Sequence, residues 1–137
     1  MPEIHINYLA VLVAAIVNMV IGVLWYSVLF GKKWLSIMKF SEEKLKARKK
    51  GVWVVYLASF IGALVMSYVL AHIVDFVQAT TVYEGAMSGL WIWIGFIITT
   101  SLGGILFEGR PKGLYFLNNG YHFASLIIMG IILAVWV

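Results

Sequence analysis

The side chains best equipped for chemistry in this sequence fall into two groups. The first centres on His122, which follows Asn118, Asn119, Gly120 and Tyr121 and lies one helical turn from Asn118. An imidazole can change charge near neutral pH, while amides and hydroxyls offer directional hydrogen bonds. Tyr26 and Ser27, Thr100 and Ser101 add hydroxyl groups, Trp25 and Trp93 could serve as flat walls, and Glu108 and Arg110 bring opposite charges two residues apart. The second group is His72, Asp75 and Glu84, nitrogen and carboxylate donors of the kind that hold a divalent metal, though without a recognised ligand spacing. Phosphate loops, HExxH helices and nucleophile elbows are missing, and the absence of cysteine excludes thiol catalysis, disulfides and thiolate metal sites. A Ser-His pair formed by Ser101 or Ser125 with His122 has no evident oxyanion hole. No catalytic residue and no cofactor are therefore assigned.

The elements that must position these groups follow from composition. Of 137 residues, 63% are hydrophobic and 12% charged, against about 25% charged in average soluble domains. Uncharged runs cover Ile4–Gly31, Gly51–Val74, Gly85–Phe107 and Gly113–Val137. Each exceeds the roughly 18 apolar residues that suggest a membrane-spanning helix. Long continuous runs point to helices rather than a barrel, because lipid requires every backbone group to be satisfied within its own segment. The expected fold is all-α: an integral membrane four-helix bundle in a single domain over 1–137, with spans near 8–30, 52–74, 85–107 and 114–136. Such a composition excludes a secreted disulfide scaffold, a DNA-binding domain and an ordinary cytosolic enzyme.

All ten basic residues lie in two segments, Lys32–Lys50 and Arg110–Lys112. Short loops rich in Lys and Arg stay cytoplasmic, so both termini are expected outside. Eight basic residues beside a membrane also meet anionic lipid headgroups, which accounts for the net charge of +4 without nucleic acid. The stretch 32–40 mixes aromatic, aliphatic and basic residues and is expected to lie along the headgroup boundary as an interfacial helix. Ser41 is the expected N-cap of the helix that follows.

Within the spans, small and polar residues recur every four positions: Ala10, Ala14, Asn18, Gly22 and Tyr26; Ser59, Ala63, Ser67 and Ala71; Gly85 and Gly89, then Thr100, Gly104 and Glu108; Asn118, His122, Gly130 and Ala134. Helices in lipid associate through such stripes, so four stripes facing one another make a closed bundle. At ~1.5 Å per residue, Thr99–Ser101, Asn118, His122 and Tyr26 converge on one layer about 8–13 Å from the cytoplasmic ends. Ionisable groups at that depth face a bundle interior or a wet cavity. For His122 the alternative is a plain hydrogen bond to Asn118 or Thr100.

The blocks Gly22-Val-Leu-Trp25-Tyr26-Ser27 with Phe30-Gly31-Lys32 and Trp34, Gly89-Leu-Trp91, Trp93-Ile-Gly95-Phe96, Thr100-Ser101-Leu102, Phe107-Glu108-Gly109-Arg110-Pro111 and Asn119-Gly120-Tyr121-His122 resemble a bacterial membrane family known as domain of unknown function 1761. The resemblance covers nearly the whole chain. It implies a multi-pass protein of a bacterial cytoplasmic (inner) membrane and supplies no activity. Relatives place proline after the Trp-Tyr-Ser unit and before the Thr-Ser pair. Here those positions are Val28 and Thr99, so helices one and three are expected to run regular.

The expected role is binding or transport of a small molecule or lipid headgroup at a cytoplasm-facing pocket formed by His122, Asn118, Asn119, Thr100, Ser101, Trp25, Tyr26, Ser27, Trp93, Glu108 and Arg110. Membrane lipids are the expected partners. A four-span monomer is small for a transport pathway, so a homo-oligomer is expected. The rival is a structural or accessory subunit whose polar stripes serve packing and partner assembly.

Overall fold

A computed structural model describes residues 5–39 and 42–136. The described chain is helical, with no strand. In order, α1 is Tyr8–Leu24, α2 Gly31–Met38, α3 Glu42–Lys50, α4 Val52–Phe76, α5 Val82–Ile92, α6 Thr99–Leu106 and α7 Lys112–Val135. Widened π-helical turns, Trp25–Leu29 and Trp93–Ile98, extend α1 and join α5 to α6. Four helical stretches are long and apolar enough to cross a membrane: Tyr8–Leu29, Val52–Phe76, Val82–Leu106 and Lys112–Val135. Ser41, the expected N-cap, lies outside the described residues.

Local chemistry explains the helix starts. The Asn7 side chain caps α1 by accepting from the amides of Leu9 and Ala10 at 3.1 and 3.2 Å. Thr81 caps α5 by accepting from Glu84 N–H at 3.1 Å, and its own hydroxyl donates to the Glu84 carboxylate at 3.0 Å. This exchange resembles a capping box and starts the third span three residues before Gly85. At the other end of that span, Gly109 takes a left-handed φ of 66°, and Arg110 N–H closes back on the Gly104 carbonyl at 2.9 Å. A turn of this form ends a helix while satisfying its last carbonyls.

Helix α7 is the central element, packing on α5, α1 and α4. The stripes account for its two closest neighbours. Gly85 and Gly89 of α5 lie against Gly130 and Leu126 of α7 so closely that a Cβ on Gly85 would sit 2.8 Å from the Ala134 methyl. Between α1 and α4, Ala10, Ala14, Ala63 and Ala71 are buried, and the Ser67 hydroxyl donates to the Val11 carbonyl at 2.8 Å. Deep in the same region, Asn18 Oδ1 accepts from the hydroxyls of Tyr121, at 2.8 Å, and Ser125. In lipid such hydrogen bonds and close small-residue contacts replace the hydrophobic effect between helices.

Two expectations require correction. The stripes do not close evenly around a common axis, because only 6% of the third span's most apolar window is buried within the chain and its contacts are mainly with α7. Helices one and three are also not regular, since each contains a π-turn without any proline. In the third span, consecutive hydroxyls take up the carbonyls of the widened turn. Thr99 donates to Gly95 at 2.6 Å, Thr100 to Phe96, Ser101 to Ile97 at 2.6 Å, and Tyr115 of α7 to Ile98 at 3.2 Å. Four successive carbonyls thus gain a hydroxyl partner, a substitute for the tight α-ladder that needs no proline.

Candidate functional site

The expected polar layer is divided in two by the side chains of α1 and α7. The Tyr26 hydroxyl reaches across to Asn118 and donates to its Oδ1 at 2.5 Å. On one side of this bond is a cleft of about 390 Å³ between the ends of α1 and α4. Tyr26, Ser27, Trp34, Tyr56, Ser59 and Tyr121 line it together with aliphatic residues. It opens where the α4 stripe fails, since Ser59 is exposed whereas Ala63 and Ser67 are buried. On the other side is a smaller cavity of about 60 Å³ between α6 and α7, lined by Ser101, Gly104, Arg110, Tyr115, Asn118 and Asn119 among others.

The smaller cavity carries the polar atom whose needs are unmet. Asn119 is 4% exposed, and its Nδ2 has no hydrogen-bond partner among the described residues. Its Oδ1 accepts from Ser101, at 3.2 Å, but the Ser101 hydroxyl is also 2.6 Å from the Ile97 carbonyl. One hydroxyl proton cannot serve both acceptors fully. Turning the amide over would let Nδ2 donate to Ser101, leaving Oδ1 as the orphan instead. In either orientation one buried amide atom lacks a partner, a state that costs roughly 1–3 kcal/mol when nothing fills it.

Two tryptophans hold this region of α7 by its backbone. Trp25 Nε1 donates to the Leu117 carbonyl at 3.0 Å, and Trp93 Nε1 donates to the Asn119 carbonyl at 2.8 Å. Each tryptophan is the first residue of a π-turn, so the widened turns deliver both indoles to carbonyls two residues apart. Gly120 provides the room, because a Cβ there would lie 2.9 Å from the Trp25 ring. At the cavity mouth the Arg110 stem lies over Gly104, and its guanidinium pairs with Glu108 at 2.7 Å with both side chains exposed. That pairing matches a turn-stabilising ion pair and leaves the guanidinium's remaining donors available.

Other expected members sit elsewhere. His122 is half-buried, has no hydrogen bond among the described residues, and touches only the Tyr121 ring among aromatic groups. The expected bonds from it to Asn118 or Thr100 are not formed. Thr100 is exposed and committed to its own helix at Phe96, and Ser27 is likewise exposed and donates to Val23. Neither lines the α6–α7 cavity. Trp25 and Trp93 act as backbone clamps, not as its walls. Ser125 is spent on Asn18, so no Ser-His pair exists there.

The metal candidates do not converge either. His72 Nδ1 is bound to the Tyr68 carbonyl at 2.8 Å, Asp75 accepts from His5 N–H at 2.9 Å, and Glu84 closes the α5 cap. Among the described residues no three His, Cys, Asp or Glu side chains are grouped for a metal. Sequence reasoning missed Tyr115, whose place one turn below Asn119 on α7 is visible only once the α6 face is known.

No curated protein and no solved structure matches the chain. The sequence model of one family, described as Protein of unknown function (DUF1761), matches residues 9–134. With all four long helices inside that match except for Tyr8 and Val135, the chain belongs to this family of unknown function.

Proposed function

We propose that the chain is a membrane-embedded binding protein whose α6–α7 cavity receives a small phosphate-bearing group, the headgroup of an anionic lipid or a soluble phosphate ester. The buried Asn119 amide carries this reading, because it offers a hydrogen bond that no described residue accepts. Arg110 at the mouth supplies the matching charge, with donors arranged for an anionic oxygen. The positive-inside bias sets this cavity on the cytoplasmic side, with both termini outside. In that orientation α2, whose Ile37 packs against Gly113 at the start of α7, lies along the headgroup boundary.

The test is thermal unfolding of the purified protein in an uncharged detergent with phosphatidylglycerol, phosphatidylcholine or glycerol phosphate added. Phosphatidylglycerol or glycerol phosphate is expected to raise the midpoint of the wild type, and Arg110→Gln and Asn119→Ala are expected to lose the rise. No shift with any phosphate compound, or a shift that Arg110→Gln leaves intact, defeats the proposal.

A second reading has its own observation. The third span keeps many large apolar residues exposed within the chain, Trp91, Phe96 and Leu106 among them. A partner helix could lie along it, making the chain an accessory subunit. That reading expects Arg110→Gln to leave stability responses unchanged while substitutions along this face release a co-purifying chain.

A further inference from the structure

A cavity larger than either of these lies at the opposite end of the molecule and takes no part in the site above. It measures about 570 Å³, within the size range of small-molecule pockets, and sits where α1 begins and α4 and α7 end. Its floor is apolar, with Ala71, Val74 and Leu133, and Trp136 stands on its wall. The polar groups on its rim include Asp75 and Gln78.

Three independent features define what this cavity suits. First, Asp75 is half-buried and uses Oδ2 to accept from the His5 amide at 2.9 Å, while Oδ1 has no partner among the described residues. Second, the described residues at this end include no lysine or arginine, all ten of which lie in the segments Lys32–Lys50 and Arg110–Lys112. Besides the His5 ring, Asp75 is the one ionisable side chain among the described lining residues, and a carboxylate attracts cations and repels anions. Third, Gln78 holds a left-handed φ of 57° in the turn that ends α4. The turn closes through Gln78 N–H to the Asp75 carbonyl and Ala79 N–H to the Val74 carbonyl, both at 3.0 Å. Glycine adopts this conformation freely and favours this position, so a glutamine there carries a strain that its side chain does nothing to relieve within the turn.

We infer that this cavity binds a small organic cation, its ammonium group on Asp75 and its apolar body on the Ala71–Leu133 floor beside Trp136. An apolar floor with one carboxylate and one indole is complementary to a cation bearing a hydrocarbon chain, because the ring face attracts positive charge and the floor excludes water. A bare metal ion is a poor fit, since Asp75 is the only carboxylate lining the cavity among the described residues and hard divalent ions gather six or more oxygens.

Calorimetry on the full chain in maltoside micelles tests this, with hexylammonium, 1-hexanol and hexanoate as probes and protein-free micelles as the baseline. Hexylammonium is expected to bind about tenfold more tightly than hexanol, as for a partly screened ion pair, and hexanoate more weakly than either. Asp75→Asn keeps an oxygen for the His5 amide, so it is expected to leave the unfolding midpoint in place and bring hexylammonium down to the level of hexanol. Gln78→Gly is expected to raise the midpoint and to weaken hexylammonium about threefold, the loss of one polar contact. Equal binding of hexylammonium and hexanol by the wild type overturns the inference. So does a cation preference that survives Asp75→Asn, or displacement of hexylammonium by magnesium at equal concentration. Should Asp75→Asn not fold, the three-probe comparison on the wild type decides alone.

Discussion

Replacing Gly130 by alanine should separate the third span from the rest of the molecule. A methyl on Gly130 would be driven into the Gly85 carbonyl, and the reciprocal position shows the same tightness, since a Cβ on Gly85 would lie 2.8 Å from the Gly130 carbonyl carbon. Ordinary contact begins near 3.4 Å, and both obstacles are backbone, which cannot swing aside as a side chain would. The helices must therefore part by roughly 1 Å, enough to forfeit about a quarter to a half of the dispersion energy of the atoms that lose contact. Overpacking of this kind costs about 1–3 kcal/mol, from which alanine's better helix propensity returns up to ~1 kcal/mol. A net loss of about 1–2 kcal/mol is expected. Because α5 rests mainly on α7, little else holds the span in place. The assay is reversible unfolding in mixed detergent–dodecyl sulfate micelles followed by circular dichroism, with Gly62→Ala as the reference. Gly62 lies in the regular helix α4 with nothing within 4 Å of its would-be Cβ. If Gly130→Ala is no more destabilising than Gly62→Ala, the close α5–α7 contact is refuted.

Three other outcomes can be checked in the same assay. Tyr26→Phe and Asn118→Ala should each destabilise, and their double-mutant cycle should return a coupling of about 0.6–1.7 kcal/mol, the range seen for side-chain hydrogen bonds between spans. Additive effects would show that the Tyr26–Asn118 bond between the two cavities does not form. Thr81→Ala should cost about 1 kcal/mol by uncapping α5, and Thr81→Ser should restore most of it. Ser67→Ala should weaken the α1–α4 contact by about 1 kcal/mol through loss of the bond to the Val11 carbonyl, with Ser59→Ala on the exposed part of the same stripe showing no such effect.

The four long apolar helices are legible because the length of the uncharged runs decides them, and the small-residue stripes match the buried faces of α1 and, beyond Ser59, of α4, and the Gly85–Gly130 contact. What the sequence concealed was rotation. From Gly85 and Gly89 a regular 3.6-residue repeat carries the inward face to Phe96, Thr99–Thr100 and Gly103. The π-turn at Trp93–Ile98 adds a residue to one turn, which rotates everything beyond it by about 100°. The face that meets α7 is therefore Trp93, Ile97, Ser101 and Gly104, while Phe96 and Thr100 are exposed. Thr100 therefore faces away from the α6–α7 cavity. His122 fails for a related reason: a repeat of four drifts slowly around a helix, so Gly130 and Ala134 are buried while His122 and Asn118 sit at the edge and Asn119 takes the interior position. No proline marks either π-turn, and the hydroxyl run that supports the second is itself part of the reading that mistook Thr100 for a ligand group.

The same rotation links the two tryptophan blocks to the cavity without placing either in it. Trp25 and Trp93 approach α7 from different spans and fix the carbonyls of Leu117 and Asn119, which holds the backbone on either side of Asn118. A side chain carried on backbone that is pinned in this way keeps its amide directed at the cavity even when its own hydrogen bonds are incomplete. Such support from outside the contact set is what preorganised binding sites require. Trp93→Phe keeps an aromatic ring in position to pack on Phe123, whose centroid is 4.8 Å from that of Trp93, and removes only the indole donor. It should lower stability by about 1 kcal/mol, as for one hydrogen bond between buried groups. It should also reduce the phosphatidylglycerol-dependent rise in midpoint, although residue 93 does not line the cavity. Trp91→Phe, on an exposed ring two residues away, should change neither quantity. If Trp93→Phe lowers stability yet leaves the lipid response at its wild-type size, the Trp93 clamp holds the helices together without positioning Asn119.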